Sequence, residues 1–492
     1  MKGLAGCALV LLLVYLRASA GAEQIPRRPE RLALPPFHFE IPEVERHQLR
    51  NGVPVYVVED RTVPLVDVVL ALRTGGRYDP EHGVGLASLT ASMIRRGGTV
   101  ALAADRFDEE VDFLGAELDS FGGVDRSGMT LECSPGVLER ALELLAEALL
   151  RPRFQEDRLD SAKANLRKSL EARGDDPLRV LDLEWQLLQY GPKHPRARQL
   201  TGRGLAAIAR QDLLDFHRRH WAPDTAVLAV SGDVDTEQVL ELLDRLLGDW
   251  GRESAGVAAP APPPLERVEA PAGLYHLESS TPQAKLYLGH RGRERRSWEE
   301  QDAFAAMVMA EILGGGGTVS RLRSRLRAEE GLVYRVVASF GLGIEEPGSF
   351  EVFLETSPRR AGRAVRAVLA ELERLRSEPV PPAELELARR SLVDALPLLF
   401  QGAVAVAGRF AEDELLGRPH EYWRIYRQRI ERVRPQDVTR LARAHLHPGE
   451  LRVLVMGPWS ELGAGEHGGP GLEQVVGRPV THLPSRDPVE LD

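Results

Sequence analysis

The sequence predicts an α+β fold built from two similar halves, and three observations carry that reading. Apolar runs of strand length and amphipathic stretches of helical period are both plentiful, yet they do not alternate as in a doubly wound sheet. DFHRRHWAPDTAVLAVSGDV, residues 215–234, has a counterpart in RLARAHLHPGELRVLVMGPW, residues 440–459, with a helix, a proline turn and an apolar strand in the same order. LERALELLAEAL near Leu138 likewise matches AGRAVRAVLAEL near Ala361, each followed by a proline and another long helix.

Taken in order, residues 53–58 and 65–72 read as strands. GLASLTASMIRRGG, residues 85–98, reads as a helix with Leu86, Leu89, Met93 and Ile94 on its apolar side. A second helix is expected over 104–118 with Phe107, Val111 and Leu114 inward, then a strand at 129–133 and a leucine-rich helix at 136–150. Residues 155–188 form one long helix or a pair broken at Asp176-Pro177, since proline removes a backbone donor and clashes with the preceding turn. A helix at 210–220, a strand at 226–230 and a helix at 236–247 close the first copy. GRESAGVAAPAPPP, 251–264, lacks periodicity and reads as an extended linker that hinges the two copies.

The organisation expected is therefore a signal peptide at 1–20, a first half at 21–250, the linker at 251–264, a second half at 265–460 and a C-terminal tail at 461–492. Lys2, the apolar run 8–16 and Ala18-Ser19-Ala20 have signal-peptide anatomy, which places the mature chain in the periplasm or outside the cell. LAGC at Leu4 to Cys7 imitates a lipoprotein box, but its apolar run follows the cysteine instead of preceding it, so no lipid anchor is expected. Cleavage leaves Cys133 as the one cysteine, a core thiol without a disulfide partner. No second stretch has the length and apolarity to span a bilayer. The chain has 63 basic and 73 acidic residues, net −10, with the basic ones scattered, which argues against nucleic acid as a partner.

LRNGVPVYVVED at Leu49, GLASLTASMIRRGG, DDP at Asp175, HP at His194, WAPDTAVLAVSGDV at Trp221 and LGGGGTVSRLRSRLRAEEGLVY at Leu313 occur in an order that resembles the pitrilysin/insulinase (inverzincin) family of zinc peptidases. The likeness covers nearly the whole mature chain, and it is strongest to bacterial members similar to processing-peptidase subunits. It implies that family's pair of mixed sheets packed with helices and enclosing a chamber. Active members carry H-x-x-E-H on the helix matching 85–98, two histidines binding zinc and the glutamate polarising water. Here Ser88, Ala91 and Ser92 stand at those positions, and Ser169, 77 positions beyond Ser92, stands where the third ligand is expected. Hydroxyls are poor zinc ligands, so the resemblance implies a degenerate site, no cofactor in this chain and no hydrolysis by the chain alone.

In the family's C-terminal half an arginine and a tyrosine seven positions apart face the zinc site and hold the substrate. RAEEGLVY supplies both, as Arg327 and Tyr334. The resemblance thus implies a non-catalytic subunit of a secreted peptidase, binding peptide in a heterodimer whose zinc-bearing partner completes the site. The other reading is a structural or peptide-binding protein without a role in proteolysis, like the family's core subunits in a membrane complex. Gly314, Gly315, Gly316 and Gly317 match a glycine-rich loop tied to substrate handling in the family, while glycines also serve simply to end a helix. His217 and His220 stand at i, i+3 without an obvious carboxylate partner and are read as ordinary helix residues; Ser92 lacks a nucleophile elbow.

Overall fold

The computed structural model describes residues 39–251, 260–266, 268–315 and 320–491. The expected signal peptide and most of the expected linker lie outside them. Residues from Ile41 onward form one compact unit. The first half contains β1 (Arg46–Gln48), β2 (Pro54–Glu59), β3 (Val66–Leu72), α1 (Leu86–Arg96), α2 (Ala104–Phe113), β4 (Glu117–Gly122), β5 (Ser127–Cys133), α3 (Leu138–Leu150), α4 (Glu156–Glu171), α5 (Pro177–Tyr190), α6 (Gly202–Ala207), α7 (Arg210–His220), β6 (Ala226–Gly232) and α8 (Thr236–Leu247). The second half contains β7 (Gly273–Glu278), β8 (Ala284–Arg291), α9 (Gln301–Gly314), a π-helical segment (Arg323–Glu329), β9 (Val333–Phe340) and β10 (Ser349–Thr356). It continues through α10 (Ala361–Ser377), α11 (Pro382–Asp394), α12 (Gly402–Leu416), α13 (Tyr422–Glu431), α14 (Pro435–His445), β11 (Arg452–Gly457), α15 (Trp459–Leu462), α16 (Leu472–Val476) and β12 (Val480–His482).

The expected duplication holds for five of the six strands of each sheet. One six-stranded sheet has the order β1-β2-β6-β3-β5-β4 and the other β12-β7-β11-β8-β10-β9. Those five correspond one to one, with the parallel pairs β2–β6 and β7–β11 beside antiparallel runs, while the sixth strands differ, β1 antiparallel to β2 and β12 parallel to β7. The fold is α+β, as the mixed, non-alternating pattern requires.

Most expected elements stand within a residue or two, and 155–188 divides at Asp176, whose side chain caps α5 by accepting from the Leu178 N–H at 2.9 Å. One helix was overextended: α2 ends at Phe113, because Gly115 takes a left-handed φ of 59° and turns the chain into β4. Leu114 and Leu118 fit a helical period, but Leu118 is buried as a strand residue. The expected tail is also corrected. Within 461–492, β12 pairs with β7, and the chain then crosses to the first half, where the Gly202 N–H donates to Val489 O at 2.9 Å. Arg486 bonds Glu184, and Arg203 bonds Glu490 at 3.0 Å.

The halves also exchange a helix, which no periodicity announces. Leu181, Trp185 and Leu188 of α5 pack on Tyr275, Leu277, Phe353, Leu454 and Met456 of the second sheet. Reciprocally, α12 lies across β6 and β2 and touches β3. Each exchange carries a tyrosine–carboxylate bond: Tyr287 to Asp182 at 2.8 Å and Tyr56 to Glu414 at 2.6 Å, the latter joined by Arg46 at 3.0 Å.

Candidate functional site

Helix α1 presents the row of small residues. Its apolar side, including Leu89, Met93 and Ile94, is buried, and Ala91 is buried with it. Ser88 is exposed and Ser92 half-buried. Asp79 positions the helix start, accepting from the Gly85 and Ala87 N–H groups at 2.7 Å each. Burial pushes its carboxyl up to about 6, against those two bonds and the nearby Arg198. Edge strand β4 passes directly over the row: a Cβ on Gly122 would stand 3.0 Å from Ser88 Cα and 3.1 Å from Ala91 Cβ. Ser169 lies exposed on α4, which packs against α1.

Three hydroxyls and a buried methyl do not fit a zinc ion, which calls for imidazole, carboxylate or thiolate donors. The close approach at Gly122 leaves Ala91 no open side on which a longer acid would sit. His217 does not supply a substitute, since its Nε2 lies 2.7 Å from Leu149 O and burial pushes the imidazole down to about 4. His220 packs tilted against Tyr78, ring centroids 4.8 Å apart.

The second half brings Arg327 and Tyr334 together. Arg327 belongs to the π-helical segment and Tyr334 to edge strand β9, and the guanidinium carbon lies 5.8 Å from the phenol ring centroid. Tyr334 is 70% exposed, unusual for a strand tyrosine that merely packs. Neighbouring arginines are tied down: Arg321 makes two bonds to Glu384, at 2.7 and 2.8 Å, and Arg325 one to buried Glu371 at 2.6 Å. Leu326 is fully buried, and Leu332 O accepts from Thr356 Oγ1 at 2.6 Å. Among the described residues Arg327 itself makes no ion pair. The segment is thus fixed on both sides of an arginine that remains available.

Gly314 ends α9 against β9, where a Cβ would stand 2.7 Å from Ala338 Cβ, so packing alone demands glycine there. Gly315 follows it as the helix cap, whereas Gly316 and Gly317 lie outside the described residues. Between the halves lies a cavity of about 490 Å³, bordered by Arg77, Tyr190, His194, Arg196, Glu345 and Pro262. The β9–β10 turn closes one side of it. Arg77 bonds Glu345 there, Arg196 bonds Glu346 at 2.5 Å, and His194 Nε2 lies 3.1 Å from Glu346. Burial opposes ionisation of Glu346, but His194 and Arg196 prevail and hold its carboxyl at about 2.

Residues 55–186 match the family described as Insulinase (Peptidase family M16), and residues 207–392 match the Peptidase M16 inactive domain. The chain belongs to peptidase family M16. An uncharacterised zinc protease of Mycobacterium leprae is 24% identical over 84% of this chain and 92% of its own. A probable mitochondrial-processing peptidase subunit beta of Arabidopsis thaliana is 24% identical over 86% and 80% respectively. Among solved structures, a peptidase M16 inactive domain protein from Pseudomonas fluorescens superposes with a TM-score of 0.72 at 24% identity, covering 84% of this chain and 98% of that one. Sequence reasoning about this M16 chain missed Asp79, the anchors Glu371 and Glu384, and the Glu345–Glu346 turn. Their partners stand 6 to 268 positions away, and no local pattern joins them. Only the alternating arginines of RLRSRLR hinted that some were anchors.

Proposed function

We propose that this chain is the non-catalytic member of a two-chain M16 peptidase working outside the cytoplasm, and that Arg327 and Tyr334 act on peptide bound to a zinc-bearing partner. The observation that carries the reading is the available Arg327 beside a 70% exposed Tyr334, on a segment otherwise fixed by Arg321, Arg325 and Leu326. Zinc held by the partner would polarise the attacking water. The task of this chain is to receive charge: the phenol O–H and the guanidinium N–H groups donate to the substrate carbonyl oxygen as it becomes negative. Both sit on elements of regular structure, so little reorganisation is needed when that charge develops. Gly314 ends α9 beside β9, and the run Gly314 to Gly317 belongs to substrate handling in this reading. The location outside the cytoplasm rests on the signal-like first twenty residues; among the described residues no single helix is long and apolar enough to cross a membrane.

The test mixes Tyr334→Phe or Arg327→Ala chain with a zinc-bearing M16 partner, confirms the heterodimer by size, and measures peptide turnover. Loss of one such donor costs about 3 kcal/mol, on the order of a hundredfold in rate. Arg327→Ala is expected to be the worse, since it removes charge and a forked donor together. Unchanged turnover in an intact heterodimer overturns the role of the pair and favours a structural or peptide-binding protein.

A further inference from the structure

The cavity of about 490 Å³ between the halves carries polar groups that neither the peptide-binding role nor the packing of the halves uses. Its size falls within the range of small-molecule pockets, about 300–1,000 Å³, which favour domain interfaces and combine apolar walls with a few polar groups. Among the described residues four arginines border it, and three are paired. Arg77 bonds Glu345, Arg126 bonds Glu412 at 2.8 Å, and Arg196 bonds Asp125 at 2.8 Å as well as Glu346. Arg73 is the exception: it is exposed, and among the described residues its side chain makes neither a hydrogen bond nor an ion pair. Two phenols are likewise uncommitted. Tyr78 and Tyr190 are half-buried at the cavity, and their hydroxyls bond nothing among the described residues. Their rings are nevertheless held, Tyr78 against His220 and Tyr190 under the Arg291 guanidinium, 4.3 Å from the ring centroid. Burial raises the pKa of both phenols, so both stay protonated and able to donate. The charge of Arg73 is felt at the Tyr78 phenol, which makes the two neighbours.

The apolar part of the wall comes from Val124, Leu265, Ile344, Leu415 and Leu416. Ile344 is the informative one. It stands in the β9–β10 turn, where glycine, proline and short polar residues are usual, and it is 38% exposed although the turn itself is tightly held. The Gly343 and Gly348 N–H groups both donate to Arg293 O at 3.2 Å, and Glu345 and Glu346 are paired with the first half. Holding the turn in place requires the glutamates and the glycines, not this isoleucine. A branched aliphatic side chain is thus fixed at a cavity instead of being packed in the core.

We infer that this cavity binds a small amphiphilic carboxylate, its apolar body on Ile344 and the leucines, its carboxylate received by Arg73 and Tyr78, and any further acceptor by Tyr190. A guanidinium offers forked donors matched to a carboxylate, and a preformed pocket spares the ligand the cost of ordering its walls. Of the bordering carboxylates, Asp125, Glu345 and Glu346 are neutralised by Arg196 and Arg77. Asp224 would favour a cation, so the test includes an amine. This inference does not rest on the role of Arg327 and Tyr334: Tyr334 stands at the opposite end of β9 from the turn that carries Ile344.

The test titrates the whole chain by calorimetry with acetyl-Leu-Phe, its C-terminal amide, octanoate and octylamine, and maps the bound state by hydrogen exchange. At least one of the two acids is expected to bind and to protect amides of the β9–β10 turn. Tighter binding of acetyl-Leu-Phe makes the ligand the C-terminus of a short peptide, and tighter binding of octanoate makes it a free aliphatic acid. Arg73→Gln, at an exposed position, is expected to weaken the bound acid on the order of tenfold or more, the share of one charge-assisted hydrogen bond. Ile344→Trp, also exposed, fills the cavity and is expected to abolish binding by a chain whose melting transition shows it folded. Failure of both acids to bind, equal binding of an acid and its amide or amine counterpart, or equal binding by either variant overturns the inference. So does protection confined to segments that do not border the cavity.

Discussion

Gly122 and Gly314 solve the same packing problem from opposite sides. In the first half a strand glycine lets β4 pass over Ser88 and Ala91; in the second a helix glycine lets α9 meet Ala338 on β9. Alanine at either position brings Cβ within 3.0 to 2.7 Å of a neighbouring carbon, so each Gly→Ala variant is expected to lose about 1–3 kcal/mol in urea unfolding. A second residue-scale prediction addresses the degenerate site. Ser88→His, Ser92→His and Ser169→Glu combined restore two imidazoles one turn apart and a carboxylate on the helix packed beside them. The triple variant is expected to bind one zinc per chain by elemental analysis, with the parent binding none. A triple variant that remains metal-free places Ser169 wrongly.

At the scale of elements, the exchanged helices join what the linker only connects. Trp185 stacks on Tyr287 with ring centroids 5.1 Å apart and is almost fully buried, so Trp185→Ala is expected to cost about 3–5 kcal/mol. Tyr287→Phe removes the bond to Asp182 and is expected to cost about 1–3 kcal/mol, mostly from the carboxylate left behind. Helix α7 supplies a pH dependence. His217 is held neutral, its pKa lowered to about 4 by burial, so between about 4 and 6.5 the unfolded chain binds the additional proton. The stability it allows at neutral pH therefore falls as pH drops through 6.5 toward 4. His217→Gln retains a donor for Leu149 O and is expected to flatten that part of the stability–pH profile; an unchanged slope assigns the acid sensitivity elsewhere.

For the whole molecule the consequence is that the two halves behave as one body. α5, α12 and the returning C-terminal segment each cross from one half to the other. A chain cleaved by a protease site inserted within 252–259 is expected to remain a single species on size exclusion and to unfold in one transition. Separation of the fragments in native buffer restores the linker to the role of sole hinge. Truncation at Pro479, which removes β12 and the Arg203–Glu490 and Arg486–Glu184 contacts, is expected to lower the melting temperature of both halves together.

The order of elements and the duplication were legible in the sequence, because each depends on local periodicity or a proline break read along one strand or helix. Residue identity alone decided that Ser88, Ser92 and Ser169 are hydroxyls, which are poor zinc ligands. The tertiary structure decided the rest. It made β4 a strand because Gly115 turns the chain before the helical pattern of Leu114 and Leu118 runs out. It also sent α5 and α12 to the opposite sheets. Helical amphipathicity says that a face must be buried and leaves open which sheet buries it. The Tyr287–Asp182 and Tyr56–Glu414 bonds belong to the same class. Each joins residues whose separation in the chain carries no information until the fold sets them side by side.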